Sequence, residues 1–297
     1  MTNGFRSGYV SIIGRPNAGK STLLNSILGE KISIVTSRPQ TTRRKITGIL
    51  TSGAYQIVFV DTPGIHKPRH LLGRLMVKEA TAALKHTDII LLMVLPHMPD
   101  HQDKALIDLL KKIPKKPQVY LVINKIDLIK KAEVLPLIDE YNKLYRFDAI
   151  IPISALNSED VVLVTDKIAK SLPCGPKYYP DDMVTDQTEK QLVSDIIREQ
   201  LMEATQEEVP HSIAVEVLTW SEREDGLISI SCNIYVERAG QKGIIIGKGG
   251  QRLKAVAAYA REEIEKMLGR KVFMELWVKV KEGWRTDERA LKEMGFK

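Results

Sequence analysis

Apolar residues come in short runs along the first half of the chain, separated by stretches with helical spacing. Tyr9 to Ile13, Gln56 to Val60, Ile89 to Leu95, Val119 to Ile123 and Ala149 to Ile153 read as strands. Ile46 to Thr51 precedes Ser52-Gly53 and faces Gln56 to Val60, which predicts one antiparallel hairpin. The other runs are continuously apolar and joined through helical segments. That pattern predicts a mostly parallel six-stranded sheet with helices on both faces. Lys31 to Arg44 lacks periodicity and reads as a mobile loop.

The pattern changes after Pro173-Cys174-Gly175-Pro176 and Pro180-Asp181-Asp182. Residues 1–175 are therefore expected to form one α/β domain, and residues 176–297 a smaller α+β domain. In the second, Leu192, Val193, Ile196, Ile197 and Leu201 mark a helix over Thr188 to Thr205. Ile213 to Thr219 and Ile228 to Val236 are strands joined through Glu224-Asp225-Gly226. Leu253, Val256, Ala257, Ala260, Ile264 and Met267 mark a further helix, and Val272 to Val280 a last strand.

Four segments begin where predicted strands end. Gly14-Arg15-Pro16-Asn17-Ala18-Gly19-Lys20-Ser21 fits a phosphate loop, with Thr22 next. Asp61-Thr62-Pro63-Gly64, Asn124-Lys125-Ile126-Asp127 and Ser154-Ala155 are the others. Ligands of open α/β sheets sit beyond the carboxyl ends of the strands, so the four converge on one rim. Gly14 and Gly19 free backbone N–H groups for phosphate, and the following helix N-terminus adds its dipole. Lys20 is placed for the β- and γ-phosphates, Ser21 and Asp61 for Mg²⁺, and Gly64 for the γ-phosphate. Asp127 can accept from guanine N1–H and N2–H₂, and adenine would leave that carboxylate unpaired. The Lys125 stem can cover the ring, and an N–H near Ala155 can meet guanine O6. Ile65 stands after Gly64, where a water-orienting glutamine would otherwise sit, so hydrolysis must rely on the phosphate loop, Mg²⁺, ordered backbone or another cation.

Charge changes the picture of the second domain. The chain carries 44 Lys and Arg against 37 Asp and Glu, net +7. Residues 238–297 hold 15 basic and 8 acidic residues, so the whole excess lies there. Within it Gly247-Lys248-Gly249-Gly250, followed by Arg252, forms a GxxG loop between an apolar run and an amphipathic helix. Such a loop clamps a nucleic-acid backbone in a KH domain. The order helix-strand-strand-helix-helix-strand is the type II arrangement. Lys111-Lys112 and Lys115-Lys116 read instead as a solvated helix end. Trp284 is expected in the core. Cys174 and Cys232 are lone thiols without CxxC spacing, and His97 and His101 lack any metal-site context. No apolar run is long enough to span a membrane, and Met1 to Gly8 lacks a secretion signal's apolar core.

At these residues, and at Pro39-Gln40-Thr41-Thr42-Arg43, the chain resembles the Era-like branch of the translation-factor class of GTPases. The resemblance covers nearly the whole length. It implies a slow GTP-hydrolysing switch that binds GTP and GDP with Mg²⁺ in the cytoplasm, as a monomer. It implies binding to the 3′ end of 16S ribosomal RNA, action in small-subunit assembly, and a peripheral association with the inner face of the cell membrane. It assigns Mg²⁺ contact to Thr42, with Thr41 as runner-up, and K⁺ contact to Asn17. The catalytic set is then Lys20, Thr42, Asp61 and Gly64. Two departures stand out: Asn157-Ser158-Glu159-Asp160 replaces a common glycine, and Pro96 to Asp100 is unusual. An RNA-anchoring protein with structural GTP is the alternative.

Overall fold

The computed structural model describes residues 4–65, 67–68, 70–114 and 117–296. The chain divides into two compact units. Lys115-Lys116 lies outside the described residues, and Lys111 closes an exposed helix end as expected.

The first unit is a six-stranded sheet in the order β2-β3-β1-β4-β5-β6. Its strands are β1 (Arg6–Gly14), β2 (Ile46–Thr51), β3 (Tyr55–Asp61), β4 (Ile89–Val94), β5 (Gln118–Ile123) and β6 (Ala149–Pro152). Only β2 runs antiparallel, paired with β3; every other pairing is parallel. Helices α1 (Lys20–Leu28), α2 (Leu71–Ala83, which belongs to this unit from Met76 on), α3 (His101–Lys111), α4 (Val134–Leu144) and α5 (Ser158–Ser171) follow in chain order. The continuous apolar runs have a plain cause. Ile12, Leu91 and Val122 pack into one core with α1 and α5, while Ile13, Leu92 and Leu121 pack into the other with α3 and α4. Successive strand residues point to opposite faces, so a sheet covered on both sides needs an unbroken apolar strand.

The first unit continues to Asp186, past the Pro-rich break at which the sequence places the boundary. The reason is pairing across the β2 edge. Ile49 N–H donates to Val184 O at 2.7 Å, and Thr185 Oγ1 to Thr47 O at 2.7 Å. Gln56 accepts from the Tyr178 and Tyr179 N–H groups. Prolines here bend the chain along the sheet instead of releasing it.

The second unit comprises α6 (Glu189–Glu203), α7 (Val209–Ser212), β7 (Ala214–Glu222), β8 (Ile228–Val236), α8 (Ala239–Ile246), α9 (Gln251–Leu268), β9 (Val272–Val280) and α10 (Glu288–Glu293). β7 is antiparallel and β9 parallel to β8. Ile228, Ile230, Cys232, Ile234 and Val236 alternate into one core shared with α6 and α9. Trp284 is fully buried in this unit, its indole N–H donating to Ser212 O at 2.9 Å. Cys232 lies in the same core and burial pushes its thiol up to about 12; Cys174 is exposed, and both are free thiols.

The aperiodic stretch after α1 forms no helix or strand, but residues 34–41 have specific partners within the second unit. Glu199 Oε1 accepts the Val35 N–H at 2.9 Å, and Arg198 Nη1 donates to Thr41 O at 2.7 Å. The α6 side chains that hold Val35 and Thr41 are themselves buried.

Candidate nucleotide site and GxxG loop

The parallel register brings the carboxyl ends of β1, β3, β5 and β6 to one rim. The phosphate-loop segment runs from the end of β1 into α1, with Gly19 at the helix N-cap in a left-handed conformation (φ 98°). A side chain at Gly64 would meet Pro16 N at 2.7 Å, so the second segment lies directly against the first. Gly14, Pro16, Ala18 and Gly64 thus form one backbone surface. Thr62 fixes it from below, donating to Ile12 O at 2.9 Å. Asn17 projects from the loop with φ 62°, and Thr22 is half-buried on α1.

Ser21, Thr42 and Asp61, the predicted metal set, are hydrogen-bonded together. Ser21 Oγ donates to Asp61 Oδ2 at 2.7 Å and lies 2.9 Å from Thr42 Oγ1. Thr41 does not reach this cluster: its hydroxyl is 2.8 Å from that of Thr36. Asp61 is fully buried and its Oδ1 has no hydrogen-bond partner among the described residues. Burial raises its carboxyl pKa, while Lys20 and the hydroxyls of Ser21, Ser33 and Thr42 oppose the rise. A buried carboxylate with an unused oxygen, flanked by two hydroxyls, is a donor set suited to a hard cation. The same burial lowers the Lys20 ammonium, against the pull of Asp61. Lys20 Nζ donates to Arg15 O at 2.9 Å.

Asn124 ties the base-side segments to the phosphate loop. Its Nδ2 donates to Ala18 O at 2.8 Å and its Oδ1 accepts the Ala155 N–H at 2.9 Å. The Ala155 N–H is therefore committed to Asn124. Lys125 takes a left-handed conformation (φ 63°) that turns the chain into the short 3₁₀ segment Ile126–Leu128, leaving Asp127 exposed on the rim. Ser154 is buried, its N–H held by Asp160 at 2.7 Å. Asp160, one of the residues replacing the common glycine, thus stiffens the base-side loop.

Two participants escape the motif. Ser33 is buried with Oγ 3.3 Å from Asp61 Oδ2; its signal in the sequence was one polar residue between Ile32 and Ile34. His97, which the sequence gives no metal-site context, lies on a partly exposed loop with Nε2 3.2 Å from Arg15 Nη1. His97, Asp100 and Asp103 are mutually close enough to hold a metal ion, but the Arg15 guanidinium is the cation among them. His101 opens α3 and is exposed.

The GxxG loop links α8 to α9. Gly247 (φ 72°), Gly249 (φ 58°) and Gly250 (φ 77°) all take left-handed φ values, which glycine adopts without penalty. A side chain at Gly249 would meet nothing within 4 Å. Lys248 is exposed, and Arg252 donates to Ile244 O, bracing the loop from α9.

A family model described as a 50S ribosome-binding GTPase matches residues 9–125, and a KH domain model matches residues 208–285. Fold and site define a GTPase of the P-loop class joined to a KH domain. GTPase Era of Clostridium kluyveri is 50% identical over 295 residues, 98% of this chain and 99% of its own length. GTPase Era of Clostridium botulinum strain Hall is 50% identical over 294 residues, with 99% of each covered. The chain belongs to the Era family of GTPases. A crystal structure of Era in complex with MgGDPNP and nucleotides 1506–1542 of 16S ribosomal RNA matches with TM-score 0.95 and 41% identity, over 98% of this chain and 99% of its own. An Aquifex aeolicus Era variant bound to GDP·AlF4⁻ matches with TM-score 0.94 at the same identity and coverage. No helix among the described residues is long and apolar enough to cross a membrane.

Proposed function

We propose that this chain is a GTP-hydrolysing switch that binds the 3′ end of 16S ribosomal RNA during assembly of the small ribosomal subunit. The observation that carries the nucleotide half is the buried Ser21–Thr42–Asp61 cluster with its unused carboxylate oxygen. The RNA half rests on the glycine-rich loop and on the Era relative bound to nucleotides 1506–1542 of that RNA.

The roles follow from chemistry. Backbone N–H groups from Asn17 to Thr22 cradle the phosphates, Gly14 gives the turn its freedom, and the Lys20 ammonium neutralises them. Ser21, Thr42 and Asp61 hold Mg²⁺, which supplies charge neutralisation on the phosphate oxygens. Gly64 is the backbone contact to the γ-phosphate. Asp127 reads guanine, the Lys125 stem covers the ring, and Asn124, Ser154 and Ala155 brace the base pocket. The Ile65 side chain packs against the apolar core and its N–H is tied to Gly14 O at 3.2 Å, so no side chain there orients water. Turnover is accordingly slow. Asn17 helps hold K⁺, and exchange of K⁺ for Na⁺ at matched ionic strength tests that role. Lys248 and Arg252 meet RNA phosphates that approach Gly247, Gly249 and Gly250. The chain acts as a monomer in the cytoplasm, with peripheral contact at the inner face of the cell membrane.

Single-turnover GTP hydrolysis with and without an RNA of the 3′-terminal 16S sequence tests the proposal. Mg²⁺-dependent hydrolysis that the RNA accelerates is expected. Binding without measurable turnover under K⁺ and RNA would favour the anchoring protein with structural GTP.

A further inference from the structure

The unusual Pro96 to Asp100 stretch has no place in the nucleotide roles above, yet it leads into a cluster that grips the phosphate loop. Asp100 caps α3: its Oδ1 accepts the N–H groups of Gln102 at 2.8 Å and Asp103 at 3.1 Å. Its Oδ2 accepts from Arg15 Nη1 at 2.6 Å. Asp103 is fully buried on the first turn of α3. Its Oδ2 takes the Asp100 N–H and the Tyr141 hydroxyl, each at 3.2 Å, and lies 3.8 Å from Arg15 Nη1. Its Oδ1 has no hydrogen-bond partner among the described residues. Burial pushes the Asp103 carboxyl up and the Asp100 charge adds to this, while Arg15 and His97 oppose it.

Arg15 therefore faces two ways. Its guanidinium sits on the acid pair. Its carbonyl accepts the Lys20 ammonium at 2.9 Å and the Ala18 N–H at 3.4 Å. A buried carboxylate requires a cation, and arginine is one that cannot lose its proton. The requirement is mutual: the acids fix the guanidinium, and the guanidinium fixes the second residue of the phosphate loop.

We propose that Asp100 and Asp103 are positioning residues for the phosphate loop, acting through Arg15 to hold the loop and Lys20 ready for the nucleotide's phosphates. The proposal rests on the reading of residues 14–21 as the phosphate site. The helix-capping role of Asp100 can be separated from the anchoring role, because asparagine caps a helix as well as aspartate but carries no charge for arginine. Asp100→Asn keeps α3 and loosens Arg15.

The test is titration of the full chain with a fluorescent GTP analogue and Mg²⁺, in wild type, Asp100→Asn, Arg15→Gln and the double variant, with thermal melts of each. Each single variant is expected to weaken binding about tenfold, the scale of one charge-assisted hydrogen bond. Asp100→Asn should do so at an unchanged melting midpoint, and Arg15→Gln at a lowered one, because it leaves buried Asp103 without its cation. The double variant is expected to be no weaker than the worse single, because the two changes break one link. Unchanged affinity in Asp100→Asn, or losses that multiply in the double variant, would overturn the proposal. Should Asp100→Asn melt early, Arg15→Gln leaves the cap intact, and a partial recovery in Arg15→Lys then carries the same decision. Lys20→Ala is the control for the underlying site. If it binds nucleotide as wild type does, the phosphate-site reading fails; if it loses binding while the anchor variants keep theirs, only the anchor fails.

Discussion

The nucleotide rim and the GxxG loop are both glycine-dependent backbone surfaces, yet they are built by opposite means. On the rim, most of the side chains that build the site are buried or half-buried and already hydrogen-bonded: Ser21 to Asp61, Asn124 to the Ala18 carbonyl and the Ala155 N–H, Lys20 to the Arg15 carbonyl. In the GxxG loop, Lys248 and Gly249 are exposed, and nothing crowds the Cβ position of Gly249. A small, highly charged ligand such as GTP rewards preorganised dipoles, because a site that must rearrange loses affinity to that cost. An extended polyanion rewards access and charge, and its affinity comes mostly from counterion release. The rim should therefore be sensitive to changes of a single atom, and the loop to changes of charge and bulk.

The sharpest way to break this comparison is at the rim's exposed corner. Asp127→Asn should lower GTP affinity about a hundredfold and shift preference toward xanthosine triphosphate, whose C2 carbonyl suits an amide. Competition between the two nucleotides measures it, and wild-type GTP affinity would remove Asp127 from the base site. A smaller effect is expected at the brace. Asn124→Ala leaves the Ala18 carbonyl and the Ala155 N–H unpaired in a buried setting, at a cost of about 1–3 kcal/mol each if water cannot reach them. The melting midpoint should fall and nucleotide affinity with it; an unchanged midpoint would show that the segments hold together without Asn124. The smallest effect is expected at Ile65→Gln. Its position packs against the core and its backbone is tied to Gly14, so the single-turnover rate should change by less than about threefold. A gain of several hundredfold would make the missing glutamine the sole limit on turnover.

Much of both regions was legible in the sequence, for a physical reason. Strands covered on two faces must be continuously apolar, so Ile89 to Val94 and Val119 to Ile123 announced themselves. The ends of those strands then located Asn124 and Asp127. Ile228 to Val236 was legible through its clean alternation, which a sheet with one buried face imposes. What was hidden depends on side chains meeting across long sequence separations. Residues 34–41 have no period of their own because buried Arg198 and Glu199 hold their backbone. The sequence assigns residues 176–186 to the second domain, since hydrogen bonds to β2 and to Gln56 leave no periodic trace. His97 reads as a surface histidine until Arg15 is placed beside it.

The most direct measurement uses one protein to ask about both regions. Lys248 and Gly249 are replaced together by aspartate, and the full chain is titrated by anisotropy with a labelled 3′-terminal 16S RNA at several salt concentrations. Nucleotide affinity and circular dichroism are recorded on the same sample. In wild type, log affinity should fall with log salt with a slope near about −0.7 per neutralised phosphate. The double-aspartate variant should lose RNA binding while its GTP affinity and fold stay unchanged, because the loop is exposed and packs no core. RNA affinity equal to wild type in the folded variant would contradict the account, and the GxxG loop would be a turn without an RNA role.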